Sequence, residues 1–277
     1  MQEFYELSDG FQIPKIGFGT YSLNGSYGTR VIEQALNVGY RLLDTAFNYE
    51  NEGAVGRAIK NSSVPRDQIT VASKLPGRHH RYQEAMVTIE ESVARLNLDY
   101  IDLYLIHWPN PIQDQYVEAW QALIDAQKSG LIRSIGVSNF LPEHIERLEK
   151  ETGVLPVINQ IELHPHFNQA TQRNYNASKD IITEAWSPLG RATEILKHPV
   201  LKEIAVRYGK SIPQIILRWQ LQLGVLPIPK ASHIARQKNN LAVVDFELRS
   251  EDMMLIASLD KETGRLQQQD PAVYEEF

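Results

Sequence analysis

The chain has 277 residues, 43% hydrophobic and 22% charged, with a net charge of -6, a composition that supplies a sizeable core and rules out a disordered chain. Its dispersed charges lack the concentrated basic face that nucleic-acid phosphates require, and with no cysteine it can hold no disulfide, thiolate nucleophile or cysteine-ligated metal. Residues 1–6 lack the basic and apolar parts of a secretory signal, and no run approaches the roughly 18 apolar residues of a membrane span, so a cytoplasmic protein, taken as a monomer, is expected.

In chain order, residues 3–14 read as a hairpin. Strand-like apolar runs follow at 16–18, 41–43, 69–73, 101–106, 132–137, 157–161, 181–185 and 225–228. Between them lie amphipathic segments that read as helices over 29–38, 53–60, 83–96, 116–128, 142–150 and 195–208. Gly39, Gly130 and Gly209 stand where helices stop, and Pro142 and Pro213 stand where they start. A last helix over 251–259 precedes a polar tail. Alternation of this kind indicates βαβ units and a parallel sheet, and eight strands is the barrel number. The expected fold is α/β, a (β/α)8 TIM barrel in one domain over 1–277, with an N-terminal β-hairpin and an extra C-terminal helix and tail.

Polar side chains cluster where the apolar runs end: Asp44, Lys74, His107, Ser138 with Asn139, Glu162 and, slightly later, Lys230. In a parallel barrel these ends open onto the face that carries the active site. Singly, each has a bland reading: Asp44 as a helix cap, Lys74 as a loop charge, His107 as a core histidine, Tyr49 as a rim aromatic. Together they form an acid-base set. A phenol titrates near ~10 and needs a neighbouring cation to shuttle protons at neutral pH. Lys74 can supply that cation, with Asp44 pairing the ammonium and His107 hydrogen-bonding a substrate carbonyl.

These residues sit in stretches that resemble the aldo-keto reductase family from residue 17 to about 259. Such stretches are Gly17-Phe18-Gly19-Thr20, Gly39-Tyr40-Arg41-Leu42-Leu43-Asp44-Thr45-Ala46, Tyr49 with Asn51-Glu52, and Leu103-Tyr104-Leu105-Ile106-His107-Trp108-Pro109. Others are Ile135-Gly136-Val137-Ser138-Asn139-Phe140, Asn159-Gln160-Ile161-Glu162, Ser187-Pro188-Leu189-Gly190 and Ile228-Pro229-Lys230. The resemblance implies NADPH-dependent reduction of aldehydes and ketones, keto-sugars or α-dicarbonyls among them. Asp44, Tyr49, Lys74 and His107 then hold the catalytic positions, with Tyr49 as general acid.

The resemblance also implies a binding path for NADPH/NADP+. Ser138, Asn139 and Gln160 would hold the carboxamide, Trp186 would stack on the nicotinamide, and Ser187, Pro188, Leu189 and Gly190 would meet the pyrophosphate. Lys230 and Arg236 would bind the 2'-phosphate. Gly19, Thr20, Tyr21, Asp44, Ala231, Ser232, Asn239 and Asn240 complete the expected cofactor contacts. Tyr21, Phe47, His107 and Trp108, with Tyr274 and Phe277 of the tail, are the expected substrate contacts. No metal is implied.

The sequence departs from the family pattern at Ala231, where many members carry Ser, at Asn239, where many carry Glu, and at Pro76, which replaces a Trp. Trp186, where animal members have Tyr, resembles the prokaryotic branch that includes 2,5-diketo-D-gluconate reductases. Three other readings stay open. Gly17-Phe18-Gly19 begins an incomplete dinucleotide fingerprint, with Ser22 at its third glycine position. His164-Pro165-His166 and His79-His80 allow a metal-dependent hydrolase. A non-catalytic nicotinamide-nucleotide-sensing subunit is the third.

Overall fold

The computed structural model describes residues 3–192 and 194–277. The first residues form the expected hairpin, β1 (Phe4–Glu6) antiparallel to β2 (Gln12–Pro14). Eight parallel strands follow: β3 (Phe18–Gly19), β4 (Leu42–Asp44), β5 (Thr70–Leu75), β6 (Ile101–Ile106), β7 (Ile132–Ser138), β8 (Ile158–Glu162), β9 (Ile182–Trp186) and β10 (Leu226–Pro227). Each pairs with the next in sequence order. The ring closes where Gly17 N donates to Pro227 O at 3.0 Å and Gly19 N donates to Pro229 O at 3.3 Å. Glycine is needed at this seam, because a Cβ on Gly17 would lie 2.8 Å from Ile228 and one on Gly19 3.0 Å from the Ile228 carbonyl.

Side chains alternate along each strand, one toward the barrel axis and the next toward the surrounding helices. Leu42, Ala72, Leu103, Leu105, Ile158 and Leu226 fill the interior with Leu7 and Ile13, which the hairpin brings to its floor. Leu43, Val71, Tyr104, Ile106, Ile135 and Val137 face outward into the helix-facing core. The apolar strand runs are continuous because both of these faces are buried.

The helices are α1 (Gly25–Val38), α2 (Glu52–Asn61), α3 (Tyr82–Leu96), α4 (Tyr116–Lys128), α5 (Pro142–Thr152), α6 (Ala170–Ser178), α7 (Pro199–Tyr208), α8 (Ile212–Gln222), α9 (Ile234–Leu241) and α10 (Ser250–Ala257). The helix expected over 195–208 is two elements, a 3-10 turn at Glu194–Lys197 and α7. Pro199 lacks an amide hydrogen and so starts a helix rather than continuing one. The Ser211 hydroxyl and the Gln214 side chain cap the start of α8 reciprocally, with Pro213 in the first turn. No helix among the described residues is long and apolar enough to cross a membrane.

Candidate active site

The polar residues expected at the strand ends are, for the most part, the last residues within the strands. Asp44 closes β4, Lys74 lies one residue from the end of β5, Ser138 closes β7 and Glu162 closes β8. Lys74 is fully buried, and its Nζ donates to Asp44 Oδ1 and Oδ2 at 2.8 and 2.7 Å and to the Thr45 carbonyl at 2.7 Å. All three ammonium protons are thereby satisfied. Burial works against this charge, but Asp44 and then Tyr49 outweigh it, and the Lys74 pKa is raised.

Tyr49 comes from the short 3-10 turn Phe47–Tyr49 that follows β4. The turn is pinned because Asn24 Nδ2 donates to the Tyr49 carbonyl at 2.8 Å, and Tyr49 N donates to Ala46 O at 3.0 Å. The buried Asn51 amide braces it from behind, donating to the Thr20 carbonyl and accepting from the Thr45 hydroxyl. Lys74 Nζ lies 5.2 Å from the Tyr49 ring centroid, and the His107 ring meets Tyr49 edge-on at 5.9 Å. Sequence reasoning expected the lysine to draw the phenol toward neutrality. Burial is the larger effect: it pushes the Tyr49 hydroxyl up to about 12, against the pull of Lys74. The phenol is therefore held protonated at neutral pH.

A cavity of about 640 Å³ opens above these groups, with Asp44, Tyr49, His107 and Trp108 in its wall. Its wall also includes Gly19, Tyr21, Asn139, Gln160, Trp186, Ser187, Pro188 and Leu189, and Lys230, Ala231, Ser232 and Arg236. Asn139 stands in left-handed backbone with φ 63. Its Nδ2 donates to the His107 carbonyl and to Ser138 Oγ, both at 3.0 Å, and its Oδ1 accepts from Trp186 Nε1 at 2.8 Å. Such a strained conformation persists only where its surroundings over-determine it, and here it fixes the indole at the cavity wall. Lys230 and Arg236 make no ion pair among the described residues. Two uncompensated cations in the same wall as a fixed indole suit a phosphorylated aromatic ligand such as NADPH.

Other expected residues lie outside the cavity wall. Thr20 is buried, donating to the Asp44 carbonyl, and Ser138 donates to the Gln160 carbonyl. Gly190 closes the turn from Ser187, Asn239 is exposed on α9, and Asn240 is buried against Tyr40. Phe47 packs instead under Arg95, whose guanidinium carbon stands 4.0 Å from the ring centroid. Tyr274 lines the cavity with its ring 4.5 Å from that of Trp108, whereas Phe277 is 89% exposed.

The structure adds residues that sequence reasoning missed. Glu184 is buried on β9 below the site. Gln160 Nε2 donates to Glu184 Oε2 at 3.0 Å and to Asp44 Oδ2 at 2.9 Å, linking the two acids. Burial, then the Asp44 charge, pushes the Glu184 carboxyl up to about 8. Asn48, Arg191, Gln267, Gln269 and Glu276 also line the cavity. The histidines that allowed a metal reading are dispersed: His164 contacts Glu162 at 2.9 Å and His79 contacts the Thr88 hydroxyl at 2.8 Å. Among the described residues no group of three or more His, Cys, Asp or Glu could hold a metal ion.

Comparison with known families matches residues 15–261 to the aldo/keto reductase family. A 2,5-diketo-D-gluconic acid reductase B from Corynebacterium sp. (strain SHS752001) is 48% identical over 271 residues, covering 98% of this chain and 97% of the relative. A methylglyoxal reductase of Escherichia coli (strain K12) is 45% identical over 258 residues, covering 92% and 93%. Among solved structures, a variant of Gox0644 in complex with NADPH superposes with a TM-score of 0.95 at 38% identity, covering 99% of each chain. Barrel topology, the buried Lys74–Asp44 pair beside Tyr49 and these likenesses lead to one conclusion: the chain belongs to the aldo/keto reductase family.

Proposed function

We propose that this protein reduces aldehydes and ketones to alcohols with NADPH. The observation that carries the reading is Tyr49 set beside the buried Lys74–Asp44 pair and His107, at a cavity whose wall also holds an indole and two cations without an ion-pair partner among the described residues. Lys230 and Arg236 would bind the 2'-phosphate, Ser187, Pro188 and Leu189 the pyrophosphate, and Asn139, Gln160 and Trp186 the nicotinamide end. Bound NADPH supplies the hydride.

The rest of the chemistry belongs to the chain. The carbonyl oxygen docks between the Tyr49 hydroxyl and the His107 ring, where negative charge develops as the carbon is reduced. A donor placed at that point is worth on the order of 3 kcal/mol in comparable sites. Tyr49 then gives its proton to the nascent alkoxide, and Lys74 stabilises the phenolate left behind. Asp44 keeps the ammonium fixed, and Trp108 and Tyr274 bound the space beside the carbonyl.

The relatives named for 2,5-diketo-D-gluconate and methylglyoxal favour keto-sugars and α-dicarbonyls as the substrate class. We further propose a cytoplasmic one-domain monomer: the absence of cysteine fits a reducing compartment, and one family match runs over residues 15–261. The test is a panel of aldehydes, α-dicarbonyls and keto-sugars read by NADPH absorbance and repeated with NADH. Turnover with NADPH, and weaker turnover with NADH, is expected. Tight NADPH binding with no turnover of any carbonyl would overturn the reading in favour of a nucleotide sensor.

A further inference from the structure

The C-terminal segment returns to the mouth of the barrel and places a carboxylate against His107. Glu276 is 8% exposed, and its Oε1 lies 2.7 Å from His107 Nδ1. Five further contacts hold the residue there. Gly77 N donates to Oε2 at 2.9 Å and Asn48 Nδ2 to Oε1 at 2.8 Å. Asn110 donates its Nδ2 to the Glu276 carbonyl at 2.8 Å and accepts the Glu276 amide at 3.0 Å on Oδ1. Arg78 donates to the next carbonyl, that of Phe277, at 2.8 Å. The cage requires glycine at 77, since a Cβ there would meet the Asn110 amide at 2.3 Å.

We propose that Glu276 is a positioning residue for carbonyl reduction: its carboxylate holds the Nδ1 proton of His107 and turns Nε2 toward the reacting oxygen. This rests on the reductase reading above. At 2.7 Å Glu276 Oε1 is close enough to accept a proton carried on His107 Nδ1, and the proton is assigned to the imidazole. Burial works against the Glu276 charge, but His107, the Gly77 amide and Asn48 together hold the carboxyl below its usual range. His80, the other histidine facing Glu276, is pushed down to about 4 by burial and stays neutral.

The carboxylate oxygen lies off the straight line of the Nδ1–H bond, as is common before substrate tightens a site. Nδ1, not Nε2, is the buried His107 nitrogen left without a hydrogen bond of good geometry among the described residues, and His107 lines the cavity. A ring with Nδ1–H fixed donates from Nε2 when it carries its second proton, and Glu276 is the counter-charge that state needs in a dry site. A carboxylate that orients a histidine through Nδ1 while Nε2 does the chemistry is a known division of labour in other folds. Here the orienting group comes from the same segment that puts Tyr274 against Trp108, so one segment both bounds the cavity and contacts the histidine.

The test uses the full-length Glu276→Ala and Glu276→Asp variants with two readouts. Histidine 15N NMR without any carbonyl reports the protonation of each His107 nitrogen. We expect a protonated Nδ1 in the native protein, a changed pattern in Glu276→Ala, and recovery in Glu276→Asp. In kinetics, Glu276→Ala should lower kcat by roughly 10- to 100-fold, below the full range of general acid-base effects, with NADPH affinity unchanged and Glu276→Asp partly restored. An unaltered NMR pattern, a kcat within about twofold of native, or an equal loss of NADPH affinity would each overturn the proposal. Failure of the native enzyme to turn over any carbonyl would instead count against the reductase reading, leaving the NMR result to judge Glu276.

Discussion

The floor and the mouth of this barrel are built by the same strands two residues apart, and they behave as different materials. On β4, Leu42 and Asp44 share the inward face, as do Ala72 and Lys74 on β5, Ile158 and Gln160 on β8, and Ile182 and Glu184 on β9. The lower residue of each pair packs against apolar neighbours and the hairpin. The upper one enters a hydrogen-bonded polar layer. One step along the strand converts a stabilising core into a site where every charge depends on its partner.

Substitutions at the two levels should separate stability from chemistry. Lys74→Met leaves Asp44 buried without a counter-charge, which costs about 3–5 kcal/mol, and it should lower kcat by roughly 10²- to 10⁴-fold. Leu103→Ala at the floor should cost a similar or slightly smaller 2–5 kcal/mol, about the range for a buried leucine. Its kcat per folded molecule should stay within about twofold of native. Urea unfolding and steady-state kinetics on both variants check this, and a large kcat loss in Leu103→Ala would erase the distinction between the layers.

Glu184 gives a smaller, pH-dependent effect. The folded state keeps its proton up to about 8, whereas the unfolded chain releases it near ~4.3. Between those values the folded state binds more protons, so this group makes stability fall as pH rises, at most by ~1.4 kcal/mol per unit. Glu184→Gln should therefore flatten the decline of unfolding free energy between pH 5 and 8, with its largest gain at the upper end. Denaturant titrations at several pH values read the effect, and an unchanged slope would mean that Glu184 is ionised in the folded protein.

The floor was easier to read in the sequence than the mouth. Apolar runs mark strands buried on both faces, so the eight strands, the hairpin and the closing helix were legible. The seam strand was displaced, from 16–18 to Phe18–Gly19, because it forms through glycines rather than an apolar run. Helix α6 escaped notice because its buried residues include Gln172 and Asn176, which leave no apolar stripe. At the mouth, Asp44, Lys74 and His107 were visible as polar residues ending apolar runs. Glu276 carried no such mark, since its partners Gly77 and Asn110 lie 199 and 166 residues away. Nor did the sequence show that burial would exceed the influence of Lys74 on Tyr49, a balance set by the depth of the turn.

The central claim is that Tyr49 is the proton donor at this mouth, and Tyr49→Phe tests it most directly because it removes only the hydroxyl. Single-turnover reduction of an α-dicarbonyl by this variant, alongside NADPH titration, should show a rate loss of roughly 10²- to 10⁴-fold with NADPH affinity close to native. Retained turnover with weakened NADPH binding would contradict the account.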